Sequence, residues 1–172
     1  MAKTIDSFYL EGKNDQGVVL CHTLGGDPSQ MMELGKKLNK KGYHVICPLY
    51  KGHGKEFIDI IQTDVRDWYQ DIVGAYDEIS SKVKDIYAVG MSLGGAIAVK
   101  LAQDKELAGI CTINAPIIGF DIESDVFNFR KNYQIDEVVP TYREHRTIYF
   151  DWATKVGQIE NLEKITCPLF VL

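Results

Sequence analysis

Apolar residues along the chain fall into short continuous runs separated by helical patterns, and that alternation predicts a parallel α/β sheet. Phe8-Tyr9-Leu10 reads as an edge strand, followed by the turn residues Gly12, Asn14 and Asp15. Gly17 to Cys21 is continuously apolar, as a strand covered on both faces must be. Pro28 and Ser29 open a helix whose apolar positions Met31, Met32, Leu34 and Leu38 share a face, and Gly42 ends it. Tyr43 to Cys47 is the next strand. Asp64 is the expected N-cap of the longest helix, which runs to about Ser81. There Val65, Trp68, Tyr69, Ile72, Tyr76 and Ile79 recur at helical spacing and make one apolar stripe. A strand from Asp85 to Val89, a helix from Leu93 to Lys105 and a strand from Leu107 to Ile113 follow. Residues 115–160 break the pattern, being polar, rich in aromatics and without strand alternation. Thr166 to Leu172 begins another strand.

At 172 residues the chain fits one domain with a sizeable core. An apolar share of 45% beside a charged share of 25% places it among ordinary globular proteins. A net charge of -5 excludes the electrostatics expected of a nucleic-acid partner. The cluster of Lys36, Lys37, Lys40 and Lys41 reads as a solvated helix end, where cations complement the dipole. The N-terminus lacks an apolar core of signal-peptide length, and no apolar run approaches the ~20 residues of a membrane span. The expectation is a cytoplasmic protein. Cys21, Cys47, Cys111 and Cys167 show no C-x-x-C spacing and read as buried free thiols, with no disulfide, metal or cofactor implied.

One motif carries chemistry. Gly90-Met91-Ser92-Leu93-Gly94 matches G-x-S-x-G. A buried strand precedes it, and a helix with the small residues Gly95, Ala96 and Ala98 follows at once. That setting predicts a nucleophile elbow with Ser92 as nucleophile on a tight turn. Its helix N-terminus adds partial positive charge near the reacting oxygen. Acyl transfer also needs backbone N–H groups aimed at the developing oxyanion. The amides of Leu93, next after the serine, and Leu24, in His22-Thr23-Leu24-Gly25-Gly26, are the candidates. Gly25 and Gly26 let that loop curl, and His22 reads as a histidine that ties the loop down.

The order of His22-Thr23-Leu24-Gly25-Gly26, then Pro48-Leu49-Tyr50-Lys51-Gly52-His53-Gly54, then Gly90 to Gly95 resembles the α/β-hydrolases. Within them it is most similar to the small bacterial carboxylesterases and monoacylglycerol-lipase-like enzymes. The family commonly has His-Gly where this chain has His22-Thr23. The resemblance implies a mostly parallel sheet flanked by helices in a single domain over 1–172, with residues 115–160 as a small cap inserted in it. It implies ester hydrolysis through an acyl-enzyme on Ser92, with short- to medium-chain carboxylic esters as small-molecule substrates and no cofactor. Gly25, Met91 and the cap aromatics Phe127, Phe129 and Tyr149 are the substrate-binding candidates, although plain cap packing explains the aromatics equally well.

The family places its triad acid just after the strand that begins near Cys167, and its histidine after the last strand. Neither position occurs within these 172 residues. His44, His53 and His145 each break the Ser–Asp–His chain order. The expectation is therefore a chain missing a C-terminal strand and helices, whose open sheet edge invites self-association; a further segment elsewhere, an assembly and a truncated gene product all stay open. Two rivals stay open on the sequence. One is an incomplete, inactive hydrolase-fold protein, and the other is a thioesterase or acyltransferase on the same fold.

Overall fold

The computed structural model describes residues 6–115 and 162–172. Its strands are β1 (Phe8–Leu10), β2 (Gln16–Cys21), β3 (His44–Cys47), β4 (Asp85–Met91), β5 (Gly109–Ile113) and β6 (Leu169–Val171). Its α-helices are α1 (Ser29–Lys40), α2 (Phe57–Ile61), α3 (Val65–Ser80) and α4 (Leu93–Asp104). The strands form one six-stranded sheet of order β1-β3-β2-β4-β5-β6. Only β1 runs antiparallel to its neighbour, and every other pairing is parallel. The expected α/β architecture is present.

Both faces of the sheet are covered, which is why its strands read as unbroken apolar runs. Val18, Leu20, Val45 and Cys47 point to one face and pack with Met31, Leu34 and Leu38 of α1. Val19, Cys21, Ile46, Ile86, Ala88 and Ile110 point to the other, against Trp68 and Ile72 of α3 and Ile97 and Leu101 of α4. Cys21 and Cys47 thus belong to opposite faces, so neighbouring strands bring no disulfide together. Met32 is half-buried and outside the α1 contact surface, contrary to the expected stripe. Cys111 and Cys167 are also only half-buried, unlike Cys21 and Cys47.

Helix ends follow local chemistry. Asp64 caps α3 as expected, accepting from the amides of Arg66 and Asp67, while the Asp67 side chain returns to the Asp64 amide. Trp68 Nε1 donates to Thr63 Oγ1 at 2.8 Å, which fixes the ring at the start of that helix. At α1 the cap oxygen comes from Asp27, whose side chain accepts from Ser29 N at 2.7 Å. Gly42 leaves this helix with φ of 100°, the left-handed exit that favours glycine. The short α2 was not expected, because five residues are too few for a helical period to show. It lies against the 51–54 loop, where a side chain at Gly52 would meet Asp59 O at 2.5 Å.

Chain direction across the sheet positions the site. From β2 the chain crosses over α1 to β3 on one side. From β4 it crosses over α4 to β5 on the other side. Sheet order therefore reverses between β2 and β4, and their C-terminal ends open on the crevice where α/β proteins bind ligands. The two loops singled out in the sequence leave from these two strands.

Candidate active site

β4 extends through Gly90 to Met91, two residues beyond the expected end, and the chain turns sharply at Ser92 into α4. Ser92 has φ of 52° and ψ of -121°, a conformation that L-residues avoid. Its amide donates to Ile113 O at 2.8 Å, and its carbonyl accepts from Gly95 N at 2.9 Å. The side chain makes no capping hydrogen bond and is half-buried rather than sunk in the interior. The bend is held by close packing at the motif's glycines. A Cβ on Gly90 would lie 2.0 Å from Gly94 O, and one on Gly95 would lie 2.5 Å from Ala115 Cβ. A Cβ on Gly94 would lie 2.2 Å from Cys21 O and 2.5 Å from His22 O. The last contact joins the two loops, because it seats the first turn of α4 on the residues that leave β2.

The loop after β2 is ordered by its own side chains. His22 is fully buried, and its Nδ1 bonds Thr23 O at 2.9 Å. Its Nε2 accepts from Tyr50 N at 3.3 Å, so the proton belongs on Nδ1. Burial, with His53 nearby, depresses the His22 pKa to about 4, which keeps the ring neutral. The imidazole thus ties the loop down, as expected. Gln30, in the first turn of α1, contributes what the sequence did not announce. Its Oε1 accepts from Thr23 N at 3.2 Å and from the Thr23 hydroxyl at 2.8 Å. Gly25 turns the loop with φ of 69°, and Gly26 donates to Thr23 O at 3.2 Å. Among the described residues the Leu24 N–H has no hydrogen-bond acceptor. The Leu93 N–H, first in α4, has no carbonyl one turn below it.

The 48–54 loop closes this side of the site. Lys51 N donates to Asp71 Oδ2 at 2.7 Å, and Lys51 Nζ pairs with Asp67 Oδ1 at 2.8 Å. Burial raises the Asp71 pKa. His53 is buried with its ring edge-on to Trp68, Tyr50 and His22. Its Nδ1 bonds Lys51 O at 3.3 Å, Nε2 has no hydrogen-bond partner among the described residues, and burial lowers its pKa. Among the described residues the hydrogen bonds of both histidines go to the backbone of the 22–23 and 50–51 segments.

Which histidine faces Ser92? Among the described residues, none is hydrogen-bonded to it. His22 has both ring nitrogens engaged. His44 opens β3 level with Gly17, and therefore with Ile86 of β4, six residues before Ser92. It stands at the opposite end of the sheet, roughly 20 Å away at the rise of a strand, and bonds Tyr9 Oη. His145, the cap over 115–160 and its aromatics Phe127, Phe129 and Tyr149 lie outside the described residues. Met91 is half-buried beside Ser92, paired in register with Ile113. Among the described residues no cluster of His, Cys, Asp or Glu has metal-site geometry, and no helix is long and apolar enough to cross a membrane.

Comparison with known proteins agrees with this architecture. Residues 12–158 match the family described as serine aminopeptidase, S33. A carboxylesterase of Bacillus subtilis is 31% identical over 127 residues, 70% of this chain and 50% of that protein. A thermostable monoacylglycerol lipase of Bacillus sp. is 33% identical over 113 residues, 65% of this chain and 45% of the lipase. The chain thus spans about half the length of these curated relatives. Among solved structures, a metagenome-derived lipolytic enzyme superposes with a TM-score of 0.76 at 23% identity, over 96% of this chain and 74% of that one. With a family match over most of its length and a sheet that reverses order beside the bend at Ser92, the chain belongs to the serine aminopeptidase S33 family of α/β-hydrolases.

Proposed function

We propose that the protein is a serine hydrolase of the carboxylesterase type, with Ser92 as nucleophile. The observation that carries this reading is the Ser92 backbone, held at φ of 52° between β4 and α4 by glycines that admit no side chain. A strained, half-exposed serine at the carboxyl end of a central strand is what nucleophilic attack on a carbonyl requires. The hydroxyl adds to the ester carbonyl, and the tetrahedral oxyanion takes hydrogen bonds from the amides of Leu24 and Leu93. Collapse expels the alcohol and leaves an acyl-enzyme, which water then cleaves. Proton transfer from Ser92 and to the leaving alcohol needs a base, oriented by an acid, from beyond the described residues.

Short- to medium-chain carboxylic esters are the proposed substrates. The names of the Bacillus carboxylesterase and monoacylglycerol lipase support that class. Gly25 and Met91, at the carboxyl ends of the two central strands, are the described candidates beside the acyl position, and the expected cap with Phe127, Phe129 and Tyr149 lies outside the described residues. Free cysteines on opposite sheet faces favour a reducing, cytoplasmic setting.

A fluorophosphonate probe tests the nucleophile, and a series of p-nitrophenyl esters from acetate to decanoate tests the substrate class. Labelling confined to Ser92 and lost in Ser92→Ala is expected. A folded chain that is never labelled contradicts the reading. A second reading for these 172 residues is a hydrolase-fold protein without turnover. Labelling separates the two. Thioester and amide substrates beside the esters distinguish a thioesterase, acyltransferase or peptidase on the same elbow.

A further inference from the structure

We infer that Tyr50 is a positioning residue for the oxyanion loop, acting on the Leu24 amide through His22. The inference rests on the reading of Ser92 and Leu24 above.

Tyr50 is 1% exposed and grips one histidine at several points. Its hydroxyl donates to His22 O at 3.1 Å. Its backbone N–H donates to His22 Nε2 at 3.3 Å. Its ring stacks on the imidazole, with centroids 3.7 Å apart and planes 22° from parallel. These contacts reach across 28 positions of sequence, from the loop after β3 to the loop after β2.

The consequence passes along planar peptide units. The unit joining His22 to Thr23 is held at both ends, its oxygen by the Tyr50 hydroxyl and its N–H by Gln30 Oε1. In the next unit, Thr23 O accepts from His22 Nδ1 and from Gly26 N. A trans peptide points its N–H opposite to its C=O. Fixing Thr23 O therefore fixes the direction of the Leu24 N–H, which has no acceptor among the described residues. Tyr50 also fixes the tautomer on which this depends, since an N–H aimed at Nε2 leaves the proton on Nδ1. The same His22 carbonyl is one of the oxygens on which Gly94 is seated. One buried tyrosine thereby couples the oxyanion loop to the turn that carries Ser92.

Tyr50→Phe tests this, because it removes the hydroxyl and keeps the ring and backbone amide. In the 172-residue chain, a fluorophosphonate should phosphonylate Ser92 about tenfold more slowly at saturation, with the half-saturating probe concentration unchanged. Amide exchange at Thr23 and Gly26 should quicken about tenfold while α4 stays protected. Full-rate labelling of Tyr50→Phe overturns the inference and leaves the Ser92 reading intact. No labelling of the unmodified chain overturns the Ser92 reading, and unchanged amide exchange at Thr23 and Gly26 in Tyr50→Phe overturns the inference. Should Tyr50→Phe fail to fold, imidazole nitrogen spectra of the unmodified chain decide. His22 protonated on Nδ1 between about pH 5 and 8 is expected, and a proton on Nε2 overturns the inference.

Discussion

Gly94 and Cys21 touch through the backbone, so closely that a methyl group on Gly94 would lie 2.2 Å from the Cys21 carbonyl oxygen. That contact seats the first turn of α4 on the end of β2 and fixes where Ser92 stands relative to the 22–26 loop. A helix interior normally gains by about 1 kcal/mol when alanine replaces glycine. Here the clashing partners are backbone atoms in the centre of the sheet, and they have no rotamer to yield. Gly94→Ala is expected to destabilise the fold by about 2 to 4 kcal/mol, read from the urea midpoint. A neutral or stabilising effect would show that the loops do not meet this closely.

Strain at Ser92 gives a prediction of opposite sign. Its φ of 52° and ψ of -121° suit glycine. Ser92→Gly should raise stability by about 1 kcal/mol, after allowing for the extra freedom glycine gives the unfolded chain. The same change should abolish labelling of the site. Thermal unfolding of the two chains side by side measures the first effect, and an unchanged or lower midpoint contradicts it.

Acid should loosen the loop after β2. His22 is neutral and fully buried, with its pKa depressed to about 4 from an ordinary value of 6.5. Above 6.5 neither folded nor unfolded chain protonates this ring, and its contribution to stability is complete. Between 6.5 and about 4 the unfolded chain gains a proton that the folded chain refuses, so stability falls as pH drops. The loss from this group approaches about 3 kcal/mol. His53 acts in the same direction, and the raised Asp71 carboxyl opposes it. Denaturation midpoints of the unmodified chain and His22→Gln across this range should converge toward the acid end.

The capping box of α3 supports the helix that covers one core face and holds the 51–54 loop through Asp67 and Asp71. Asp64 accepts from the amides of Arg66 and Asp67. Asp64→Ala should cost about 1 kcal/mol, and Asp64→Asn or Asp64→Ser much less. The ion pair of Asp64 with Arg66 is exposed, so Arg66→Ala should change little. A large loss from Arg66→Ala would move the weight from cap to ion pair.

We also expect the β6 edge to associate. Phe170 is 68% and Val171 64% exposed, and Leu172 continues the apolar surface. Among the described residues β6 pairs with β5 on one side only. Phe170→Lys should shift sedimentation of the 172-residue chain toward the monomer. A chain that is already monomeric at high concentration removes the basis for self-association.

The sequence made the sheet and the elbow legible because both are local. Alternating inward positions such as Val18 and Val19 sit in opposite cores, so the strand between Gly17 and Cys21 had to be apolar throughout. The Gly90 to Gly95 spacing similarly reports a turn whose backbone admits no side chains. The shorter α2, the outward-tending Met32 and the partial exposure of Cys111 and Cys167 were not legible, since nothing in a short window encodes what packs on it.

The chain's own order of residues determined the fold class, the cap of α3 and the position of the strained serine, since these follow from sterics and hydrogen bonds among near neighbours. Tertiary structure decided the rest. That Tyr50 grips His22 across 28 residues, that Gln30 holds Thr23, and that Gly94 meets Cys21 depend on how parallel strands are ordered in space. Contacts of that kind leave no periodicity in sequence, because their partners are joined by the sheet and not by the chain.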